Sequence, residues 1–428
     1  MEKKHKKIIV EISRYILSLV FIFSGFVKAV DPLGGAYKIQ DYFSAFDLPE
    51  LRFLALPLAF LQAAIEFGVG VGLLIGIYRR FNSLFVFIIM LFMTPLTLYL
   101  AIANPVTDCG CFGDALVISN WQTFFKNIIL LIAAVFVFMW YQLMSSRFTR
   151  RKYFYSALWI YLFIAGASFY CYYYLPVFDF RPYKIGANIP EKMKIPENAE
   201  QDLYEVQLIY SKGGKEKEFT VDNYPKGDSS WTFVDSKSTL IKKGYRPAIQ
   251  DFSITAPGGE EITEDVLSNP SYSFLLVALN LKNANDKNVD KINDIFDFAK
   301  SKEYGFYALT ASSPDEIQDW IGSTGAEYPF CTMDDITLKT IIRSNPGLLL
   351  IKNGTIINKW SNSRLPDTDK LNKLINNADH GKTPKAHNFL TFIILAVILF
   401  VPLFGLYLLD YENRKKKKSK RNKLKHKI

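Results

Sequence analysis

Asn104-Pro105-Val106-Thr107-Asp108-Cys109-Gly110-Cys111-Phe112-Gly113-Asp114 joins two long apolar stretches, and its reading decides how the rest of the chain is placed. Two thiols one residue apart can close a small ring or donate together to an acceptor. A strained disulfide has a higher reduction potential than a structural one and is readily passed on. The intervening glycine supplies the backbone freedom such a tight ring requires. Whether thiol chemistry is open to this loop depends on the side of the membrane it faces.

The 428 residues are 50% hydrophobic and 15% aromatic, with a net charge of +10 and a mean hydropathy of +0.08. That balance is too apolar for an ordinary soluble protein and too charged for a pure membrane bundle, so a membrane part plus a polar domain is expected. Six apolar runs, at 8–30, 53–77, 81–103, 123–143, 154–175 and 387–409, are long enough to span. The first resembles a signal peptide in its basic start. Its apolar core is too long and further spans follow, so it reads as an uncleaved helix.

Orientation follows from Lys and Arg beside the spans. Lys3, Lys4, Lys6 and Lys7, then Arg79-Arg80, then Arg147, Arg150, Arg151 and Lys152, and a tail from Arg414 with ten Lys/Arg and no acid fall on one side when six helices alternate. Both termini are therefore expected in the cytoplasm of a bacterial cell. A 31–52 loop, the cysteine loop and residues 178–385 are expected in the periplasm. Residues 178–385 carry 30 acidic and 26 basic side chains, a net of −4, so the high charge of the chain reports topology and does not suggest a nucleic-acid surface. All four cysteines, Cys109, Cys111, Cys171 and Cys331, fall on the outer side, where disulfides persist. Cys171 and Cys331 taken singly read as small buried hydrophobes and only secondarily as redox partners.

Lys28 and Glu66 lie within apolar spans and are natural partners, because ionisable groups at membrane depth are costly unless paired; Lys28 snorkelling to the interface, with Glu66 a satisfied structural group, is the equal alternative. Gly68, Gly70, Gly72 and Gly76 are spaced for close helix approach. Ser24-Gly25-Phe26-Val27-Lys28 with Asp31-Pro32, then Glu66 with the glycines and Arg79-Arg80, resembles the DoxX family of four-helix membrane proteins. Asp108 to Asp114 is similar to the related MauE branch, associated with envelope disulfide formation. That resemblance implies that Cys109 and Cys111 are the redox residues, with Lys28 and Glu66 the buried polar ones.

In the outer segment, Leu203 to Tyr210 alternates, Gly213-Gly214 turns and Lys217 to Val221 returns, a hairpin pattern. From residue 240, strands and helices alternate: strands at 273–280 and 305–310, helices at 290–302, from Ser313 and at 335–343, then a hairpin around Asn353-Gly354. With Asn345-Pro346 just before the hairpin, this order resembles a thioredoxin-like domain of the TlpA or peroxiredoxin type. The resemblance makes Pro346 the fold-specifying cis-proline and Asp251 to Thr255, with Gly258-Gly259, the domain's first strand. The pattern as a whole is similar to DoxX fusions of the Bacteroidetes type. One departure matters. Leu281-Lys282-Asn283-Ala284-Asn285-Asp286 stands where that family carries Cys-X-X-Cys, so this domain lacks the attacking and resolving thiols of a dithiol centre.

The expected architecture is an α-helical membrane protein with an α/β outer domain. A four-helix bundle fills 1–150, a fifth span 151–177, a hairpin subdomain 178–239, the thioredoxin-like domain 240–380, a sixth span 386–410 and a basic tail 411–428. His5, His380, His387 and His426 form no zinc or haem spacing, and no phosphate loop or nucleophile elbow is present. Tyr170 and Tyr172 to Tyr174 look like an interfacial belt beside which a quinone would fit. Two functions are expected from these readings. One is thiol–disulfide oxidoreduction through Cys109 and Cys111, with an envelope protein partner and a quinone as candidate acceptor. The other is a non-catalytic membrane scaffold whose degenerate thioredoxin-like domain binds a partner.

Overall fold

The computed structural model describes residues 3–106, 108–200, 202–242, 244–380 and 388–425. Its first part is helical: α1 (Lys3–Val30), α2 (Pro32–Ala45), α3 (Ala55–Ile75), α4 (Arg79–Ala103), α5 (Asn120–Met139) and α6 (Arg150–Tyr174). A one-turn α7 (Ile189–Met193) precedes a three-stranded antiparallel sheet of β1 (Leu203–Lys212), β2 (Lys215–Thr220) and β3 (Thr232–Lys242), with β1 central. The α/β domain then runs α8 (Thr263–Ser268), β4 (Tyr272–Ala278), α9 (Val289–Ser301), β5 (Gly305–Thr310), α10 (Pro314–Thr324), β6 (Phe330–Thr332), α11 (Asp335–Ile341), β7 (Gly347–Lys352), β8 (Thr355–Ser361) and α12 (Thr368–Asp379). The last helix is α13 (Asn388–Lys425). His387 and His426 lie outside the described residues.

Among the described residues, six helices are long and apolar enough to cross a membrane, and the chain is a multi-pass membrane protein. Helices α1 and α3 meet backbone to backbone: a Cβ added at Gly25 would lie 2.3 Å from the Phe67 nitrogen, and one at Gly70 would lie 2.7 Å from the Ile22 nitrogen. The other glycines of α3 serve different neighbours, Gly68 facing Tyr161 of α6 and Gly72 facing Asn82 of α4. At one end of the bundle Arg14 donates to the Ser145 carbonyl at 2.7 Å, Arg147 N donates to Ile75 O at 3.1 Å, and Thr149 Oγ1 donates to Asp410 at 2.6 Å. The cysteine loop, α2 and the α/β domain share the other end.

The expected 31–52 loop is instead α2 followed by a 3-10 turn over Pro49–Leu54. The Asp31 carboxylate accepts from Gly34 N at 2.9 Å and Pro32 occupies the first turn, a start signal that needs no long apolar run.

The five-stranded sheet has the order β6-β5-β4-β7-β8. β4 pairs in parallel with β5 and antiparallel with β7, β5 pairs in parallel with β6, and β7–β8 is the hairpin. All of β4 is buried because helices cover both faces: Phe274 and Leu276 point into one core, Leu275 and Val277 into the other. This is the thioredoxin-like arrangement expected from the sequence, and Asn345–Pro346 is cis. The first strand expected over Asp251 to Thr255 does not form. Thr255 makes only isolated bridges, to Glu261 and Thr332, while Ile254 N is taken by the Thr263 hydroxyl at 2.8 Å. The helix expected to reach Arg343 ends at Ile341. Ile342 is extended, and Arg343 is free to reach across to the bundle.

Candidate functional site

The cysteine loop is anchored at its ends before its thiols are placed. Asn104 closes α4 in a left-handed conformation, and the Asn120 amide at the start of α5 donates to Val106 O at 3.0 Å and to Asn104 Oδ1 at 3.1 Å. Ser119 and Gln122 form a capping box that fixes where α5 begins.

Within the loop the Cys109 and Cys111 carbonyls take donors from α1 and α2. Tyr42 OH donates to Cys109 O at 2.9 Å. Ser24 Oγ donates to Cys111 O at 2.6 Å, and Lys28 Nζ donates to the same carbonyl at 2.7 Å. Lys28 also reaches Glu66 at 2.8 Å and Ser24 Oγ at 2.7 Å, so all three of its N–H bonds are engaged. Gln62 donates to the other Glu66 oxygen at 3.0 Å. The expected Lys28–Glu66 pair therefore exists and holds the redox candidate by its backbone. Asp108 accepts from Gly110 N at 2.8 Å and from Lys38 at 3.1 Å.

Cys109 Sγ and Cys111 Sγ lie 2.7 Å apart. The hydrogen bond from the Cys109 thiol, opposed by burial and aided by the Lys126 and Lys28 ammonium groups, holds the Cys111 thiol below its usual range. The same bond and burial push Cys109 up.

Gly110 has φ +66°, and a Cβ there would lie 2.6 Å from Lys38 Cγ. Gly110→Ala should cost about 1–2 kcal/mol in backbone strain and displace Lys38 from Asp108. Faster alkylation of both thiols than in the native protein is the expected readout, and unchanged rates would contradict this role.

The α/β domain is clasped to this loop. Arg343 donates to Asp31 through Nε at 2.9 Å and Nη2 at 2.8 Å, and to Asp114 at 3.2 Å. Its guanidinium lies 5.3 Å from the Tyr37 ring centroid. Burial pushes the Asp31 carboxyl up, but Arg343 and Arg181 outweigh it and hold it below the usual carboxylate range. Asp114, more weakly held, is pushed up by burial. Beside the clasp, Lys359 donates to Asp179 at 2.9 Å, and Arg181 donates to the same carboxylate at 2.8 Å. Burial drops Lys359 to about 8, while Lys359 and Arg181 override burial to hold Asp179 at about 2.

The other expected residues lie elsewhere. Cys171 is buried against Val30 and Phe178, and Cys331 sits in the core on one face of the sheet, each in a cluster separate from that of Cys109. Tyr170 and Tyr174 stack under Arg364, whose guanidinium is 3.9 Å from the Tyr174 centroid, and Tyr172 packs on Phe60. Where a Cys-X-X-Cys would stand, Asn345 Nδ2 donates to Asn280 O at 2.7 Å and Asn362 Nδ2 to Asn285 O at 2.9 Å, so asparagines knit the stretch to its neighbours. Lys38, Tyr42, Lys126 and Arg343 were not singled out from the sequence. The first two ride on α2, whose Asp31-Pro32 start was the available signal.

A bundle carrying this loop, topped by an α/β domain of thioredoxin order, defines a two-part membrane protein. Residues 6–140 match the family model described as methylamine utilisation protein MauE, so a MauE-type membrane domain precedes the thioredoxin-like one. Residues 204–243, the three-stranded sheet, match a model described as a domain of unknown function, DUF8463. No curated protein matches the chain. Similar solved structures include a protein of Bacteroides thetaiotaomicron described as a disulfide isomerase, at 19% identity, covering 30% of this chain and 84% of that one with a TM-score of 0.24. A thioredoxin-like protein from Aeropyrum pernix is similar at 15% identity, covering 30% and 89% with a TM-score of 0.25. A thiol peroxidase from Chromobacterium violaceum is similar at 11%, covering 31% and 85% with a TM-score of 0.25.

Proposed function

We propose that this protein performs thiol–disulfide exchange through Cys109 and Cys111 in the bacterial inner membrane, with both termini cytoplasmic and residues 178–385 periplasmic. The observation that carries the reading is the pair itself: two thiols 2.7 Å apart in a loop whose carbonyls are pinned by Tyr42, Ser24 and Lys28. In the disulfide form, a partner thiolate attacks Cys109 and expels Cys111, the better leaving group of the two. The partner's second thiol then resolves the mixed disulfide, leaving the partner oxidised and the pair reduced.

In the Cys111→Ser protein, Cys109 should attack the disulfide of an oxidised partner and expel one partner thiol, leaving a mixed disulfide on Cys109 visible as a mass-shifted adduct lost on reduction. Absence of any adduct, with a normal phenotype for the double Cys→Ser protein, overturns the exchange reading. The missing Cys-X-X-Cys favours a second role for the α/β domain, that of a docking module. A partner held by that module would be recovered from detergent even after both loop cysteines are replaced.

A further inference from the structure

A cavity of about 690 Å³ opens beside the pair, within the range of small-molecule sites. It runs from Val20, Ile89 and Met93 inside the bundle to Cys109, Cys111 and Lys126 at its end. Its lining is mostly apolar. Phe92 of α4 and Val117 of the loop before α5 line it and are 66% and 67% exposed, so the chamber opens outward between them. Lys126 makes no hydrogen bond or ion pair among the described residues, its ammonium lying 4.3 Å from the Phe112 ring centroid. None of Tyr170, Tyr172, Tyr173 and Tyr174 lines this space.

The cavity thus combines a dithiol, an uncommitted cation, an aromatic wall and an apolar slot reached from the bilayer. A ligand for it must dissolve in lipid, present an oxygen to an ammonium and accept what a dithiol gives up. We infer that the cavity is a bilayer-fed site for a lipid quinone, its ring between Phe112 and Cys111, Lys126 donating to a ring carbonyl and the tail lying between α1 and α4. This rests on the thiol reading above. Both S–H bonds break, the S–S bond forms, and the two electrons and two protons pass to the two quinone oxygens, giving a disulfide and a hydroquinone that leaves through the lipid.

The test is photolabelling of the full chain in lipid vesicles with an azido-quinone, with decylubiquinone as competitor. Label on peptides of α1 and α4, suppressed tenfold by the competitor and by either Met93→Trp or Lys126→Leu, is the expected result. Label confined to the Tyr170–Tyr174 region, label unaffected by both variants, or no competable label overturns the site. The Cys109→Ser/Cys111→Ser protein should still be labelled, since binding needs no thiol. Mixed-disulfide trapping with no label would sink the quinone site alone, and label with no trapping would sink the exchange reading alone.

Discussion

Lys28→Met is expected to destabilise the bundle by about 3–5 kcal/mol, the usual cost of removing one partner of a buried ion pair. Lys28 is 8% exposed, and its three hydrogen bonds go to Glu66, Ser24 and the Cys111 carbonyl. Methionine fills the space but leaves Glu66 with Gln62 alone, and Cys111 O with Ser24 alone. The effect should appear in denaturant titration in detergent and in faster alkylation of Cys111. Lys28→Met/Glu66→Met should regain most of the stability, because no charge is stranded, but not the loop geometry. A single variant as stable as the native protein, with unchanged thiol reactivity, would show that Lys28 merely reaches toward the interface.

Arg343→Ala should release the α/β domain from the bundle while each part stays folded. Arg343 is 7% exposed and forks onto Asp31, and that carboxylate would be left buried with only Gly34 N as hydrogen-bond donor, again at about 3–5 kcal/mol. Cleavage by protease in the 175–186 connection is the readout. Arg343→Lys should rescue poorly, since an ammonium cannot reproduce the two-pronged contact with Asp31. Equal protection of all three proteins would mean that the Lys359–Asp179–Arg181 cluster suffices to hold the junction.

The six spans and the central strands were legible because each is written locally, as an unbroken apolar run of characteristic length. The Lys28–Glu66 pair was legible because charges at membrane depth need partners. Helix α2 was missed for the opposite reason: it lies across the end of the bundle, buries little beyond Pro32 and Ala36, and carries no long apolar run. Arg343 reads as an ordinary helix-terminal cation, and only folding sets it against Asp31, 312 residues away in the chain. Lys126 likewise sits in an apolar span as though reaching for the interface, and its nearness to both sulfurs depends on how the loop folds back.

Asp114 belongs to two structures at once: it ends the cysteine loop and receives Arg343 from the α/β domain. If the exchange proposed above operates, ring closure at Cys109 and Cys111 and the docking of that domain share this residue. Whatever free energy oxidation adds to or takes from the Asp114–Arg343 contact reappears, equal in size, as a shift in the midpoint potential of the pair. Under that reading, a domain without a Cys-X-X-Cys pair sets how oxidising the thiols beneath it are.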